Sequence, residues 1–289
     1  MYIYMNGEVV RKEEAMISPF DHGFLYGMGL FETFRVYNGH PFLLDDHLER
    51  LNRSLEAINI EASFTRERVL AALEKLLERN GYDNAYIRVN VSAGNGEVGL
   101  QTTPYTNPNT IIFCKPLPSR SRSAEKQAVL LEIPRNTPEG AERLKSHHFL
   151  NNILAKKEAG DDPGTEGIFL TRDGYLAEGI TSNLFWICDG HLFTPSLHTG
   201  ILNGITRKFV IRLAGKLGMN VLEGMYRPEA VRNADEVFVT NSIQEIVPIS
   251  SFDGHSMPGI SGKKTSELQM HYEKHCEHLW SRKELQEDS

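Results

Sequence analysis

Two short apolar runs flank Asn6-Gly7 in YIYMNGEVV, and the arrangement recurs around Asn38-Gly39 in LFETFRVYNGHPFLL. An Asn-Gly pair between β-prone runs predicts a two-residue hairpin turn, since both residues tolerate the left-handed backbone such a turn needs. From Leu44 to Ala57 the period changes: Leu48, Leu51, Leu55 and Ile58 fall three and four apart, the stripe of an amphipathic helix. Thr65 is the predicted N-cap of a second helix, which runs to Arg79 and closes at Asn80-Gly81. Strands are predicted at 85–92 and 110–114. The stretch KPLPSRSRSAEKQ then mixes proline, serine and charge without a period. Its later part, 119–127, is the predicted linker between an N-terminal domain, 1–118, and a C-terminal domain, 128–289.

Beyond it, a strand is predicted at 128–132. AERLKSHHFLNNILAKKEAG follows, with Ser146 as the expected N-cap and Leu150, Ile153 and Leu154 as an expected buried stripe. Asp173-Gly174 and Asp189-Gly190 mark turns in a hairpin-rich stretch, 167–193. A helix at 205–217, two strands ending near Val239 and Ile249, and a C-terminal helix striped with Leu268, Tyr272, Cys276 and Leu279 complete the pattern. Strands mixed with helices in both halves predict two α/β or α+β domains.

Composition narrows the function classes. The chain of 289 residues carries 31 Lys+Arg against 38 Asp+Glu, a net charge of −7, which offers nucleic acid no broad cationic face. Its 40% hydrophobic and 24% charged residues are those of a globular protein. No apolar run reaches the roughly 18 residues of a membrane span, and the opening MYIYMNGEVVRKEE lacks the pattern of a secretion signal. Cys114, Cys188 and Cys276 are odd in number and far apart, which points to free thiols in a reducing cytoplasm. No Cys/His grouping has zinc spacing, so no metal is expected.

Candidate chemistry is scattered. Lys145 stands at the end of an extended segment ahead of a helix, where an amine can face a cleft; an isolated lysine is ordinarily just solvated. Glu178, in YLAEGITSNLFW, follows a short strand directly and also suits a turn. LNGITRKF sets Gly204, Ile205 and Thr206 at a helix start, where unpaired N–H groups attract phosphate, as every helix start does to some degree. Thr240, Asn241 and Ser242 form a second polar cup after a strand. Arg50 and Arg53 on the first amphipathic helix suit a phosphate. The adjacent His147 and His148 face opposite ways on extended chain and read as polar lining rather than a ligand pair.

The order of HLERLNRS, LKSHHFLNN, GYLAEGITSNLFW, LNGITRKF and VTNSIQEIVPI, after SPFDHGFLYGMGLFETFRVYNGHPF, resembles the fold-type IV enzymes that use pyridoxal 5′-phosphate. That family includes branched-chain aminotransferases, D-amino acid aminotransferases and 4-amino-4-deoxychorismate lyases. The resemblance spans nearly the whole chain. It implies a smaller N-terminal α/β domain, a larger β-barrel-like C-terminal domain with helices, and a homodimer. It makes Lys145 the lysine that forms the Schiff base and general base, and Glu178 the partner of the pyridine nitrogen. It makes Arg50, Ile205, Thr206, Asn241 and Ser242 the phosphate contacts. The chemistry agrees: an amine condenses with an aldehyde, and a carboxylate favours a protonated ring nitrogen.

Three departures separate the branches. Where D-amino acid aminotransferases carry an Arg-Asn-His run, this chain has SAGNGEVGLQTT, and Phe31 stands at their substrate tyrosine. Branched-chain enzymes carry Tyr-Ile-Arg-Pro and a tyrosine five residues past the lysine; here YIRVN lacks the proline and that place holds Leu150. The glycine loop Gly94–Gly99, NLFW and LNGITR resemble the lyases more. That resemblance implies conversion of 4-amino-4-deoxychorismate to 4-aminobenzoate and pyruvate, with Arg88 on a substrate carboxylate. The alternatives are a branched-chain or D-amino acid aminotransferase, or a protein that binds the cofactor or another phosphate without turnover. The glycine loop also fits a dinucleotide fingerprint, but LQTTPYTNP after it is broken by prolines where that fingerprint needs a helix.

Overall fold

Asn6 and Asn38 take φ of 49° and 47°, followed by Gly7 at 108° and Gly39 at 83°, the left-handed pair that a tight hairpin requires. They join β1 (Tyr2–Met5) to β2 (Glu8–Arg11), and, after α1 (His22–Tyr26), β3 (Gly29–Tyr37) to β4 (His40–Pro41). The computed structural model describes residues 1–117 and 124–285. Helix α2 (Leu44–Ala57) and α3 (Arg66–Asn80) follow, the latter capped by the Thr65 hydroxyl on the Arg68 N–H and ended by Gly81 at φ 69°. β5 (Ala85–Ser92) and β6 (Asn109–Pro116) complete a six-stranded antiparallel sheet in the order β2-β1-β6-β5-β3-β4. Leu48, Leu51, Leu55, Val69, Leu73 and Leu76 pack with Phe34, Ile87, Val89 and Val91 of the sheet in one core. No helix follows Gly94–Gly99, in keeping with a loop.

The second unit opens with β7 (Lys126–Leu130). It continues with α4 (Leu150–Ala159), β8 (Thr165–Leu170), β9 (Leu176–Gly179), β10 (Asn183–Cys188) and β11 (His191–Pro195). After α5 (Ile205–Lys216) come β12 (Val221–Gly224), α6 (Glu229–Arg232), β13 (Glu236–Asn241), β14 (Glu245–Phe252), β15 (His255–Ser256) and α7 (Lys263–Glu273). Its nine strands form one mixed sheet, β12-β11-β10-β13-β14-β7-β8-β9, with β15 on β14. The sheet curls into a half-barrel whose ends meet: Leu176 N–H in β9 donates to the Tyr226 carbonyl just past β12 at 2.7 Å. Ile168, Leu184, Trp186, Val239 and Ile249 share one apolar core within it.

By contact, the first unit comprises Met1–Ser119, Leu144–His148 and Cys276–Glu284, and the second Arg120–Arg143, Phe149–His275 and Leu285–Ser289. A single cut at a linker would assign Leu144–His148 and Cys276–Glu284 to the second unit instead. Of the expected linker 119–127, residues 119–123 lie outside the described residues, and Lys126 and Gln127 already belong to β7.

Two local expectations are corrected. Helix α4 begins at Leu150 with Phe149 at its cap, not at Ser146, and Leu150, Ile153 and Leu154 are 67%, 59% and 44% exposed; Asn152 and Ala155 are the residues it buries. Periodicity locates an apolar face but not what covers it. Leu268, Tyr272, Cys276 and Leu279 are all buried, but α7 ends at Glu273, so Cys276 and Leu279 belong to the first unit and not to one helical stripe.

Candidate functional site

In the first unit, the segment carrying Lys145 runs beside the start of β3, joined to it by an isolated antiparallel bridge between Leu30 and Ser146. Phe31 N–H donates to the Lys145 carbonyl and His147 N–H to the Gly29 carbonyl, both at 2.9 Å. This backbone pairing, rather than a helix cap, fixes the lysine, and Lys145 Nζ lies 4.5 Å from the centre of the Phe31 ring. The histidines diverge as alternation requires. His147 is packed so close to Gly29 that a β-carbon there would overlap its ring, and its Nε2 donates to Asn90 Oδ1 at 3.1 Å. His148 Nε2 lies 3.3 Å from the Tyr26 carbonyl.

Arg50 is buried in α2, whereas Arg53 is exposed. Arg50 Nε and Nη2 donate to the two oxygens of Glu32 at 2.6 and 2.7 Å, and His47 Nδ1 meets Glu32 Oε2 at 2.7 Å. Burial alone would raise the Glu32 carboxyl, but the Arg50 guanidinium, helped by His47, outweighs it and holds it at about 2. Glu32 therefore fixes the guanidinium at two points. The sequence carries one signal of it: a lone acid inside the apolar run LFETFRVY.

In the second unit, Glu178 is 4% exposed at the end of β9. Its Oε1 accepts from Arg135 Nε at 2.8 Å, with Arg143 Nε 3.8 Å away, and its Oε2 accepts from Leu202 N–H at 3.0 Å. Burial, and then Arg135 beside it, push the Arg143 guanidinium down to about 10. Arg135 is held in turn by Asn151 Oδ1 at 2.7 Å and Asn152 Oδ1 at 3.3 Å. Nothing in IPRNTPEGAER marks Arg135 or Arg143 as partners of Glu178, because the pairing is across the fold.

Asn183 connects the carboxylate to α5. Its Nδ2 donates to the Leu202 carbonyl at 2.9 Å, and a β-carbon on Gly204 would overlap its Oδ1. Gly204 caps α5 without a side-chain hydrogen bond, and the first turn holds no acid, so the N–H groups there remain available to an anion. Thr206 Oγ1 lies 3.2 Å from Ser242 Oγ, which puts two hydroxyls at the same helix end. Thr206, Ile205 and Ser242 are thus in one place. Asn241 turns elsewhere: its Oδ1 accepts from the N–H groups of Ile243 and Gln244 at 3.0 and 2.7 Å, shaping the β13–β14 turn.

Comparison with known proteins gives these groups a family. Residues 29–252, which include every candidate side chain, match the model for amino-transferase class IV. The chain belongs to that family. It is similar to the aminodeoxychorismate lyase of Bacillus subtilis, 47% identical over 96% of this chain and 95% of the relative. Among solved structures it resembles the branched-chain amino acid aminotransferase from Escherichia coli, with a TM-score of 0.86, 31% identity, and coverage of 95% of this chain and 94% of that one. The T.th. branched-chain amino acid aminotransferase solved with pyridoxamine 5′-phosphate has a TM-score of 0.85 at 29% identity, covering 96% of this chain and 95% of that one.

Each group, taken by itself, fits a part of such a cofactor. A helix N-terminus free of side-chain caps and acids, with two hydroxyls, suits a phosphate. A buried carboxylate with N–H donors suits a protonated ring nitrogen, and a half-buried lysine amine suits an aldehyde. Among the described residues no group of acids, histidines and cysteines is arranged to hold a metal ion, and no helix is long and apolar enough to cross a membrane.

Proposed function

We propose that the protein is a lyase that uses pyridoxal 5′-phosphate to convert 4-amino-4-deoxychorismate to 4-aminobenzoate and pyruvate. The observation that carries this reading is the likeness to the Bacillus subtilis lyase along almost the whole length of both chains. When bound, the cofactor supplies an aldehyde for amines and a ring that draws electrons from the adjoining carbon. Thr206, Ser242 and the N–H groups of Ile205 and Thr206 hold its phosphate, together with Arg50 braced by Glu32. Glu178 balances the charge on the ring nitrogen. Lys145 takes the proton from the amine-bearing carbon of the substrate and returns a proton to the departing three-carbon fragment. Arg88, which no carboxylate pairs with among the described residues, holds a substrate carboxylate.

The apolar residues Leu150, Ile153 and Leu154 on the open face of α4 support assembly as a homodimer. Free thiols at Cys114, Cys188 and Cys276 support a cytoplasmic setting. The experiment is incubation of the holoprotein with aminodeoxychorismate and no keto acid. Release of 4-aminobenzoate and pyruvate in equal amounts is the expected result. Amino transfer to an added keto acid with no such release would make it an aminotransferase instead. Lys145→Ala abolishes turnover and the attachment that borohydride fixes to residue 145.

A further inference from the structure

β5 presents Tyr86, Arg88 and Asn90 on the sheet face opposite its core residues, while Ile87, Val89 and Val91 are fully buried. Register sets Phe31 of β3 opposite Asn90. The Arg88 guanidinium lies on the Phe31 ring, its central carbon 3.6 Å from the ring centre. Its Nε and Nη2 both donate to Asn90 Oδ1, at 3.3 and 3.2 Å, and His147 Nε2 donates to the same oxygen at 3.1 Å. A guanidinium only donates, so the Asn90 amide must turn its oxygen towards Arg88, and His147 must carry its proton on Nε2 to join it. Burial, and next the Arg88 charge, push His147 down to about 4, so it remains neutral beside the cation near pH 7.

The group is rich in donors and short of acceptors. Among the described residues no carboxylate pairs with Arg88, and no acceptor takes the Asn90 Nδ2 protons. A partly buried cation without a counter-charge is costly until an anion reaches it. One oxygen of Asn90 spans Nε and Nη2, and the Tyr86 hydroxyl on the same strand face is a further, neutral partner; among the described residues no carboxylate takes the edge between Nη1 and Nη2, where an anion can make two hydrogen bonds.

We propose that Asn90 and His147 are positioning residues: they hold Arg88 flat on Phe31 with its outer edge towards the substrate carboxylate, and so set the preference of the protein for an acid over its uncharged amide. The proposal rests on Arg88 as the carboxylate anchor. Asn90→Asp is nearly isosteric and places a fixed carboxylate on the guanidinium, consuming the charge a ligand needs. His147→Leu removes the donor that shares the Asn90 oxygen, and His147→Gln restores an N–H donor without a titrating ring.

The test is calorimetric titration of the holoprotein with 4-aminobenzoate and with 4-aminobenzamide. The parent binds the acid more tightly by roughly tenfold or more, the value of a charge-assisted pair. Asn90→Asp removes that preference, His147→Leu reduces it, and His147→Gln recovers most of it. A purely structural role would weaken both ligands alike. A parent without preference, or an Asn90→Asp protein that keeps the parental ratio, overturns the proposal. Should Asn90→Asp fail to fold, equal ratios in His147→Leu and the parent overturn it as well. Turnover of the same parent sample separates the two readings. Pyruvate release without acid preference sinks the positioning roles alone, and a preference abolished by Asn90→Asp without pyruvate release sinks the lyase reading alone.

Discussion

Replacing Glu32 with glutamine removes a charge that the first unit buries among three donors. The carboxyl is 1% exposed and bonded by Arg50 at two points and by His47 at a third. Burial opposes the charge, yet the Arg50 guanidinium holds the carboxyl at about 2, against 4.5 for an ordinary glutamate. The folded carboxyl thus ionises at lower pH than the unfolded one. Its stabilisation is fully present above pH 4.5 and is lost as pH falls from there towards 2. That difference is worth about 3 kcal/mol, in line with the ~3–5 kcal/mol for breaking a buried ion pair. At about 2–4 °C per kcal/mol for a chain of this size, Glu32→Gln lowers Tm by roughly 6–12 °C at neutral pH. Melting curves by circular dichroism, taken in steps from pH 7 to pH 3, should show the gap between parent and variant narrowing once pH drops below 4.5. A gap of constant size at every pH, or one worth less than about 1 kcal/mol at pH 7, would refute the electrostatic account and leave a packing defect in its place.

Three further outcomes follow from the same geometry. Glu178→Gln keeps the shape of the side chain but removes the charge that the proposed mechanism sets against the ring nitrogen, so turnover falls by about 100-fold or more while the cofactor absorption band persists, as steady-state rates and spectra will check. Thr206→Ala and Ser242→Ala each withdraw a hydroxyl from the helix end and weaken cofactor affinity by about tenfold, measured by equilibrium dialysis of the phosphate ester. In Gly29→Ala, the added methyl overlaps the His147 ring and sits 2.8 Å from the Val91 carbonyl, so urea denaturation should reveal a loss of about 1–3 kcal/mol.

The sequence by itself determined the local elements and the order of the chemical segments. The turns at Asn6-Gly7, Asn38-Gly39, Asp173-Gly174 and Asp189-Gly190, the span of α2, the cap at Thr65 and the start of α5 follow from short-range chemistry, because caps, turns and periodicity are written in neighbouring residues. Lys145, Glu178, Thr206 and Ser242 stand out in sequence only as an ordered set, which is what a family resemblance reads. Only the tertiary structure decided which distant side chains meet. Glu32 with Arg50 and His47, Arg135 and Arg143 with Glu178, and Asn90 with His147 are contacts between different segments, set by strand register and helix docking rather than by spacing along the chain. The same reason accounts for α4: its leucines and isoleucine spell a helical face, and whether the fold covers that face is decided by its neighbours in space.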